Sequence, residues 1–290
     1  MKLATYSYGA RIWVGAVVGD SVVAATGAVD GAGSMPELLQ AGRPALTALQ
    51  ALIDSGENRH PLAEVQLLAP VLRPGKFLGV GLNYPDHVGE TGLEKPEYPT
   101  FFTKQSTCVI GTGAAIHCPA VSDKVDYEGE LGIVIGRRCR NVSAGDAPSV
   151  IAGFTICNDV TVRDWQHRSP TWTLGKSFDT HGPMGPWIVT CDQIADPHQL
   201  NLKTWVDGEL RQNANTGEMI FNGYELIAYL SQAMTLEPGD VITTGTPAGV
   251  GVKMKPRGYL KPGQTVRVEI EGIGALVNPV VAEPQDFFVA

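Results

Sequence analysis

The chain has no long apolar run. Nowhere among its 290 residues do the roughly 20 consecutive apolar positions of a spanning helix occur, so no membrane partner is expected. Its start, Met1-Lys2-Leu3-Ala4-Thr5-Tyr6, holds no apolar core of a leader segment, and a cytoplasmic location is expected. Basic residues are few: 22 Lys and Arg stand against 30 Asp and Glu, for a net charge of −8. Phosphate backbones select clustered Lys and Arg, so no nucleic-acid partner is expected. The two concentrated basic runs, Arg137-Arg138-Cys139-Arg140 and Lys253 to Arg257, are each accounted for by a solvated turn. The five cysteines are odd in number and form no C-x-x-C pair, which argues for reduced, mostly buried thiols over a disulfide framework. No H-x-H, H-x-x-x-H or H-E-x-x-H spacing occurs, and that disfavours zinc.

What the chain has in quantity is Gly (34) and Pro (20), spread evenly, as in proteins with many tight turns between short strands. Strands are predicted at Leu3 to Tyr8, Ile12 to Val18 and Ser21 to Ala25, with Gly19-Asp20 as a hairpin turn. Two helical stretches follow, Pro36 to Leu39 and Pro44 to Ile53, the second carrying Leu46, Leu49 and Ile53 on one stripe. Leu67 to Gly75, with Pro70 and Pro74, reads as a hinge. It divides the chain into a small N-terminal α/β domain over 1–69 and a larger unit over 70–290. In that unit strands are predicted near Lys76 to Gly81, Thr100 to Thr103, Leu131 to Gly136 and Val150 to Asn158. Others follow at Pro186 to Thr190, Leu202 to Val206, Asp240 to Thr243 and Thr265 to Ile270. Asp207-Gly208 marks a hairpin, and Tyr224 to Met234 is the clearest helix, with Asn222 as its N-cap. Strands outnumber helices without alternating with them, so the fold class is α+β and not a βαβ repeat.

The most informative segment is Asp126-Tyr127-Glu128-Gly129-Glu130, which leads into the apolar run Leu131 to Ile135. A period of two places the three acids on one strand face. Carboxylates side by side repel unless a cation neutralises them, the face is solvated, or one takes up a proton. Glu128 and Glu130 can converge on one point, and a third oxygen from another segment would complete a facial set for a hard cation such as Mg²⁺ or Mn²⁺. Asp159, at the exit of an apolar strand, is the best third donor. Asp126 is nearer in sequence but could equally cap a turn.

His87 and Glu90 stand three apart in a polar segment that can form at most a short helix, and one turn would bring imidazole and carboxylate together. Such a pair suits a water-activating base, although the spacing is also common as a purely structural contact. Leu174-Gly175-Lys176-Ser177 superficially resembles the end of a phosphate loop. Pro170 stands where that loop needs glycine, so Lys176 is better read as a fixed positive charge beside an anionic substrate. Gly245-Thr246-Pro247 could offer a hydroxyl and backbone N–H groups to a carboxylate, and by itself is a glycine-rich turn.

Together these segments resemble the fumarylacetoacetate hydrolase superfamily, from about Lys76 to Asn278. The resemblance rests on Gly81-Leu82-Asn83-Tyr84 with His87, Asp126 to Leu131, Asn158-Asp159, Arg163-Asp164-Trp165-Gln166, Gly175 to Asp179 and Thr244 to Pro247. It implies a strand-rich mixed β-sandwich roll with a small N-terminal domain, assembled as a homodimer. It implies that Glu128, Glu130 and Asp159 bind Mg²⁺, Mn²⁺ or sometimes Ca²⁺. Lys176 and Gln166 would face the substrate or metal-bound water, and Arg163 and Thr246 would lie in the pocket. His87 and Glu90 would sit on a lid over about residues 83–99 that orders over substrate. The short first domain and the close spacing of Asp159 and Lys176 look more like the acylpyruvase branch than the long enzyme of tyrosine breakdown.

The resemblance leaves the reaction open. The first reading is metal-dependent hydrolysis of a C–C bond in a 2,4-dioxo acid of the acylpyruvate or fumarylpyruvate type, giving pyruvate and a carboxylic acid. The second is decarboxylation of oxaloacetate or isomerisation of a 2-hydroxyhepta-2,4-diene-1,7-dioate-type acid, in which His87 would matter less for decarboxylation or serve as a proton shuttle. A third, non-catalytic reading makes the three acids a structural Ca²⁺ site in a scaffold.

Overall fold

Turn chemistry sets the strand order. The computed structural model describes residues 1–285 of the chain. Strand Arg11–Val18 folds back on Lys2–Tyr8 and then pairs with Ser21–Ala24 across Gly19-Asp20. Asp207 and Gly208, both at positive φ (50° and 79°), join Asn201–Val206 to Glu209–Asn215, as a two-residue hairpin loop requires.

The result is an α+β fold in which strands dominate. The larger sheet runs Arg59–Pro61, Ser21–Ala24, Arg11–Val18, Lys2–Tyr8, Gly182–Thr190, Ile151–Asn158, Gly129–Ile135, Val241–Thr243, Phe77–Gly81 and Thr100–Lys104. A smaller sheet runs Glu209–Asn215, Asn201–Val206, Thr265–Ile270, Gly274–Ala282 and Ile116–Cys118. Leu131, Ile133 and Ile156 of the first meet Leu202, Val266, Val268 and Leu276 of the second in one buried cluster, which is the sandwich core. Val134 and Cys157 point the other way, into a second cluster with Leu3, Leu38, Leu49 and Ile188. The side-chain period of two thus gives each central strand two buried faces.

Lys2–Tyr8 pairs with Gly182–Thr190 through Lys2↔Val189 and Leu3↔Ile188. The first 69 residues therefore extend the large sheet, which gives the backbone of strand Gly182–Thr190 a partner along that edge. The two predicted helical stretches form one segment, Met35–Ser55, bent at Gly42 (φ 67°, ψ −144°) just before Pro44. Helix Gly223–Ala233 starts where expected, with Asn222 and Glu225 forming a reciprocal cap. Strand Gly274–Ala282 was not expected, because Pro279 interrupts its β pattern; the proline sits opposite Thr265 in the ladder.

Candidate metal centre and active-site cavity

Strand register brings the acids together. Gly129–Ile135 runs antiparallel to Ile151–Asn158 with Gly129 opposite Asn158. Asp159, one residue further, then faces Glu128 and donates its N–H to the Glu128 carbonyl at 2.8 Å. Glu128, Glu130 and Asp159 each offer an oxygen, all within 4.8 Å of one another, and all three residues are buried. An all-carboxylate donor set fits a hard divalent cation of the Mg²⁺, Mn²⁺ or Ca²⁺ type and does not suit zinc, which favours nitrogen and sulfur.

Asp126 leaves this group. It sits in a separate short ladder, Val125–Asp126 with Thr161–Val162, because Tyr127 and Glu128 interrupt the strand. Its carboxylate accepts from Gly251 N–H at 2.7 Å, Val252 N–H at 2.9 Å and Arg163 Nε at 2.8 Å. Asp126 therefore anchors the 251–252 backbone, which is the capping use left open above.

Four buried carboxylates (Asp126, Glu128, Glu130, Asp159) share the site with three buried cations (Lys104, Arg163, Lys176). Lys176 Nζ lies 2.6 Å from both Glu128 Oε2 and Asp159 Oδ2, and Arg163 Nη2 lies 2.7 Å from Glu128 Oε1. Burial alone would raise the Glu128 carboxyl, but Arg163 and Lys176 outweigh it and hold the group well below the usual carboxylate range. Burial would likewise lower Lys176, and Asp159 and Glu128 reverse that and push its ammonium up. Glu130 accepts only neutral donors, the Thr243 hydroxyl and Gly245 N–H at 2.7 Å. Burial first, then the charges of Asp159 and Glu128, push its carboxyl well above the usual range. The triad is short of positive charge at Glu130, and a divalent cation would supply it.

Lys104 is a member that sequence reasoning missed. Its ammonium reaches Asp159 Oδ1 at 2.6 Å and the Lys176 carbonyl, with both ion-pair side chains fully buried. The predicted strand stopped one residue short, at Thr103. Extended by one, its alternation places Lys104 on the same face as buried Phe102, and a lysine there demands a carboxylate.

The expected lid residues form helix Pro85–Thr91. Asn83 pins its start: its side-chain nitrogen donates to the Thr244 carbonyl at 2.7 Å and the Phe221 carbonyl at 2.9 Å. Gly245 (φ 95°) allows this approach, since a Cβ there would lie 2.7 Å from that of Asn83. His87 Nδ1 lies 3.2 Å from Glu90 Oε2, and Glu90 Oε1 accepts Gly249 N–H at 3.2 Å. The dyad is thereby docked onto the loop after Thr246, with the carboxylate holding Nδ1 and leaving Nε2 as the nitrogen able to take a proton.

A cavity of about 310 Å³ joins these parts. Its walls include His87, Glu128, Glu130, Arg163, Gln166, Lys176 and Thr246, so most of the predicted site residues converge there. Glu90 and Asp159 stand behind, supporting His87 and Lys176. Gly175 lets the Lys176 loop lie against Gln166, whose backbone nitrogen would be 2.3 Å from an added Cβ. The polar groups of the walls are partly committed. Arg163 Nη1 donates to Gln166 Oε1 at 3.1 Å, and Thr246 donates to the Gly129 carbonyl while accepting from Gln212 Nε2 at 2.8 Å. Gln212 was missed because it lies on the second strand of a hairpin, far from any motif. Lys253 and Arg257, read above as part of a solvated turn, also line the cavity.

The fumarylacetoacetate (FAA) hydrolase C-terminal family matches residues 76–281 of this chain. A mitochondrial oxaloacetate tautomerase of Xenopus laevis is 43% identical over 249 residues, covering 85% of this chain and 78% of that protein. A maleylpyruvate hydrolase from Sphingobium sp. SYK-6, solved with manganese(II) and pyruvate, superposes with a TM-score of 0.82 at 33% identity, covering 98% of this chain and 100% of that one. A 2-hydroxyhepta-2,4-diene-1,7-dioate isomerase from Mycobacterium marinum gives 0.80 at 37% identity, again covering 98% of this chain and 100% of that one. No described helix is long and apolar enough to cross a membrane.

Proposed function

The chain belongs to the fumarylacetoacetate hydrolase superfamily, and from that premise we propose that it is a divalent-metal-dependent enzyme that stabilises the enolate of a 2-oxo acid. The finer reading is hydrolysis of a C–C bond in a 2,4-dioxo acid to pyruvate and a carboxylic acid. The observation that carries it is His87, held from behind by Glu90, in a wall of the same cavity as Glu128 and Glu130. Glu128, Glu130 and Asp159 would hold Mg²⁺ or Mn²⁺, which when bound polarises the 2-oxo group and offsets charge developing on its oxygen.

The protein's own groups supply the rest. Glu90 fixes the His87 ring, so that Nε2 can take a proton from a water attacking the distal carbonyl. Lys176, held charged by Asp159 and Glu128, offsets the negative charge that C–C cleavage leaves on the pyruvate enolate. Arg163 and Gln166 support the wall beside it, and Thr246 with Gln212 fixes the turn after Val241–Thr243. Protonation of the enolate carbon completes the reaction.

A second reading is keto–enol interconversion of oxaloacetate, favoured by the 43% identity to tautomerases of that substrate. It uses the same enolate without an attacking water. Steady-state assays of acetylpyruvate, fumarylpyruvate and oxaloacetate with and without Mn²⁺ separate the two. Metal-dependent cleavage of a dioxo acid supports the hydrolase; metal-dependent tautomerisation with no cleavage replaces it by the second reading. No turnover of any 2-oxo acid would sink both.

A further inference from the structure

Four cations line the cavity: Arg163, Lys176, Lys253 and Arg257. The first two are buried and committed to Asp126, Glu128 and Asp159. The other two differ in kind. Arg257 is exposed and Lys253 half-buried, and among the described residues neither forms an ion pair. Among the described residues, the one side-chain hydrogen bond of Lys253 goes to the Thr91 carbonyl at 3.3 Å. Glu90 lines an adjoining cleft with both, but its two oxygens are taken by His87 and by Gly249 N–H. Acids in the cavity wall stand only at the buried end, as Glu128 and Glu130. The same wall also offers carbon surface from Leu93, Trp172 and Val252.

We infer that Lys253 and Arg257 form a second anion subsite, which receives the distal carboxylate of a 2-oxo dioic acid whose 2-oxo end lies at the carboxylate triad. The inference rests on the 2-oxo acid chemistry proposed above and adds its specificity. A neutral acyl tail would leave both cations facing apolar chain, whereas a carboxylate gives each a partner, and Arg257 can bind it through two N–H groups. Free Lys253 and Arg257 thus favour diacids over monoacids of equal length.

Binding tests this without assuming which reaction follows. The Mn²⁺-loaded protein is titrated calorimetrically with 2-oxoglutarate, 2-oxoadipate and 2-oxopimelate, and with the matching 2-oxo monoacids; oxalate reports on the metal end alone. At one chain length or more the diacid should bind at least about 10-fold tighter than its monoacid, with the gap narrowing as salt rises. Arg257→Gln, at a side chain that makes no hydrogen bond or ion pair among the described residues, should reduce that ratio severalfold, and adding Lys253→Met should bring it to about one. Ratios near one at every length in the unaltered protein overturn the subsite, as does a ratio that survives both substitutions. If oxalate binds while the ratios stay near one, only the subsite fails. If neither oxalate nor any 2-oxo acid binds, the 2-oxo acid reading falls and the subsite with it.

Discussion

Replacing Lys104 by Met separates a charge role from a purely geometric one. The ammonium is fully buried, 2.6 Å from Asp159 Oδ1, and it also holds the Lys176 carbonyl. Removing one partner of a buried ion pair costs about 3–5 kcal/mol, because the other charge stays behind uncompensated. Asp159 keeps Lys176 on Oδ2 at 2.6 Å, so the lower end, about 3 kcal/mol, is expected. For a chain of 290 residues, at about 2.1 cal/mol/K of unfolding entropy per residue, that lowers Tm by about 5 °C. Metal should then reverse the effect. The site goes from four carboxylates against three cations to four against two, and a divalent cation offsets the surplus. At an effective dielectric of about 20 and a separation of about 5 Å, a lysine charge opposes a divalent ion by several kcal/mol before relaxation. Disordering of Asp159 alone would weaken metal binding by about 10–100-fold, the opposite sign. Charge should win, so Mn²⁺ should raise Tm more in Lys104→Met than in the parent and bind at least about 10-fold tighter. Calorimetric melting with and without Mn²⁺, paired with metal titration, measures both. A smaller Mn²⁺ shift in the variant, or weaker binding, would refute the charge argument.

Glu130→Gln should leave metal-free stability within about 1 kcal/mol, since the carboxyl is already pushed toward its neutral form, yet weaken Mn²⁺ by about 100-fold or more. A large metal-free loss measured by urea unfolding would contradict this. His87→Ala should slow dioxo-acid hydrolysis by about 100-fold with Mn²⁺ affinity kept. Equal losses in hydrolysis and in oxaloacetate tautomerisation would make His87 a proton shuttle instead of a water base. His181 is buried, with Nε2 2.8 Å from the His117 carbonyl, and burial pushes its pKa down to about 3. Its folded pKa lies below the unfolded value of about 6.5, so its contribution is present above about pH 6.5 and is lost as pH falls toward 3, reaching about 2 kcal/mol by about pH 5. Urea midpoints at about pH 7 and pH 5 should differ by less in His181→Phe than in the parent; an unchanged difference would exclude this histidine as the cause.

The triad was legible because acids two apart tend to share a face, and Glu128, although it stands just before strand Gly129–Ile135, still converges on Glu130. Asp159 was legible for a related reason, since an acid just past an apolar strand meets whatever flanks its neighbour, here Glu128. Distance in sequence hid the rest. Lys104 reaches Asp159 across 55 positions and Gln212 reaches Thr246 across 34, and no periodicity links such residues. Lys253 and Arg257 looked like a solvated turn because charge alone does not say which way a loop faces. The three consecutive N-terminal strands were visible, but their pairing with Gly182–Thr190 was not, because the partner of an edge strand is set by tertiary packing. Asp126 shows the limit of the period-two argument: one break in the strand, at Tyr127 and Glu128, was enough to send it elsewhere.

The central claim is that the carboxylate triad holds a cation which in turn holds a 2-oxo acid. Titration of oxalate into metal-free and Mn²⁺-loaded protein tests it most directly, because oxalate mimics the planar enolate and needs no turnover. The account predicts binding to the loaded protein, none to the metal-free protein, and none to Glu130→Gln at the same Mn²⁺ concentration. Uptake of Mn²⁺ without oxalate, or oxalate binding that ignores the metal, would contradict it.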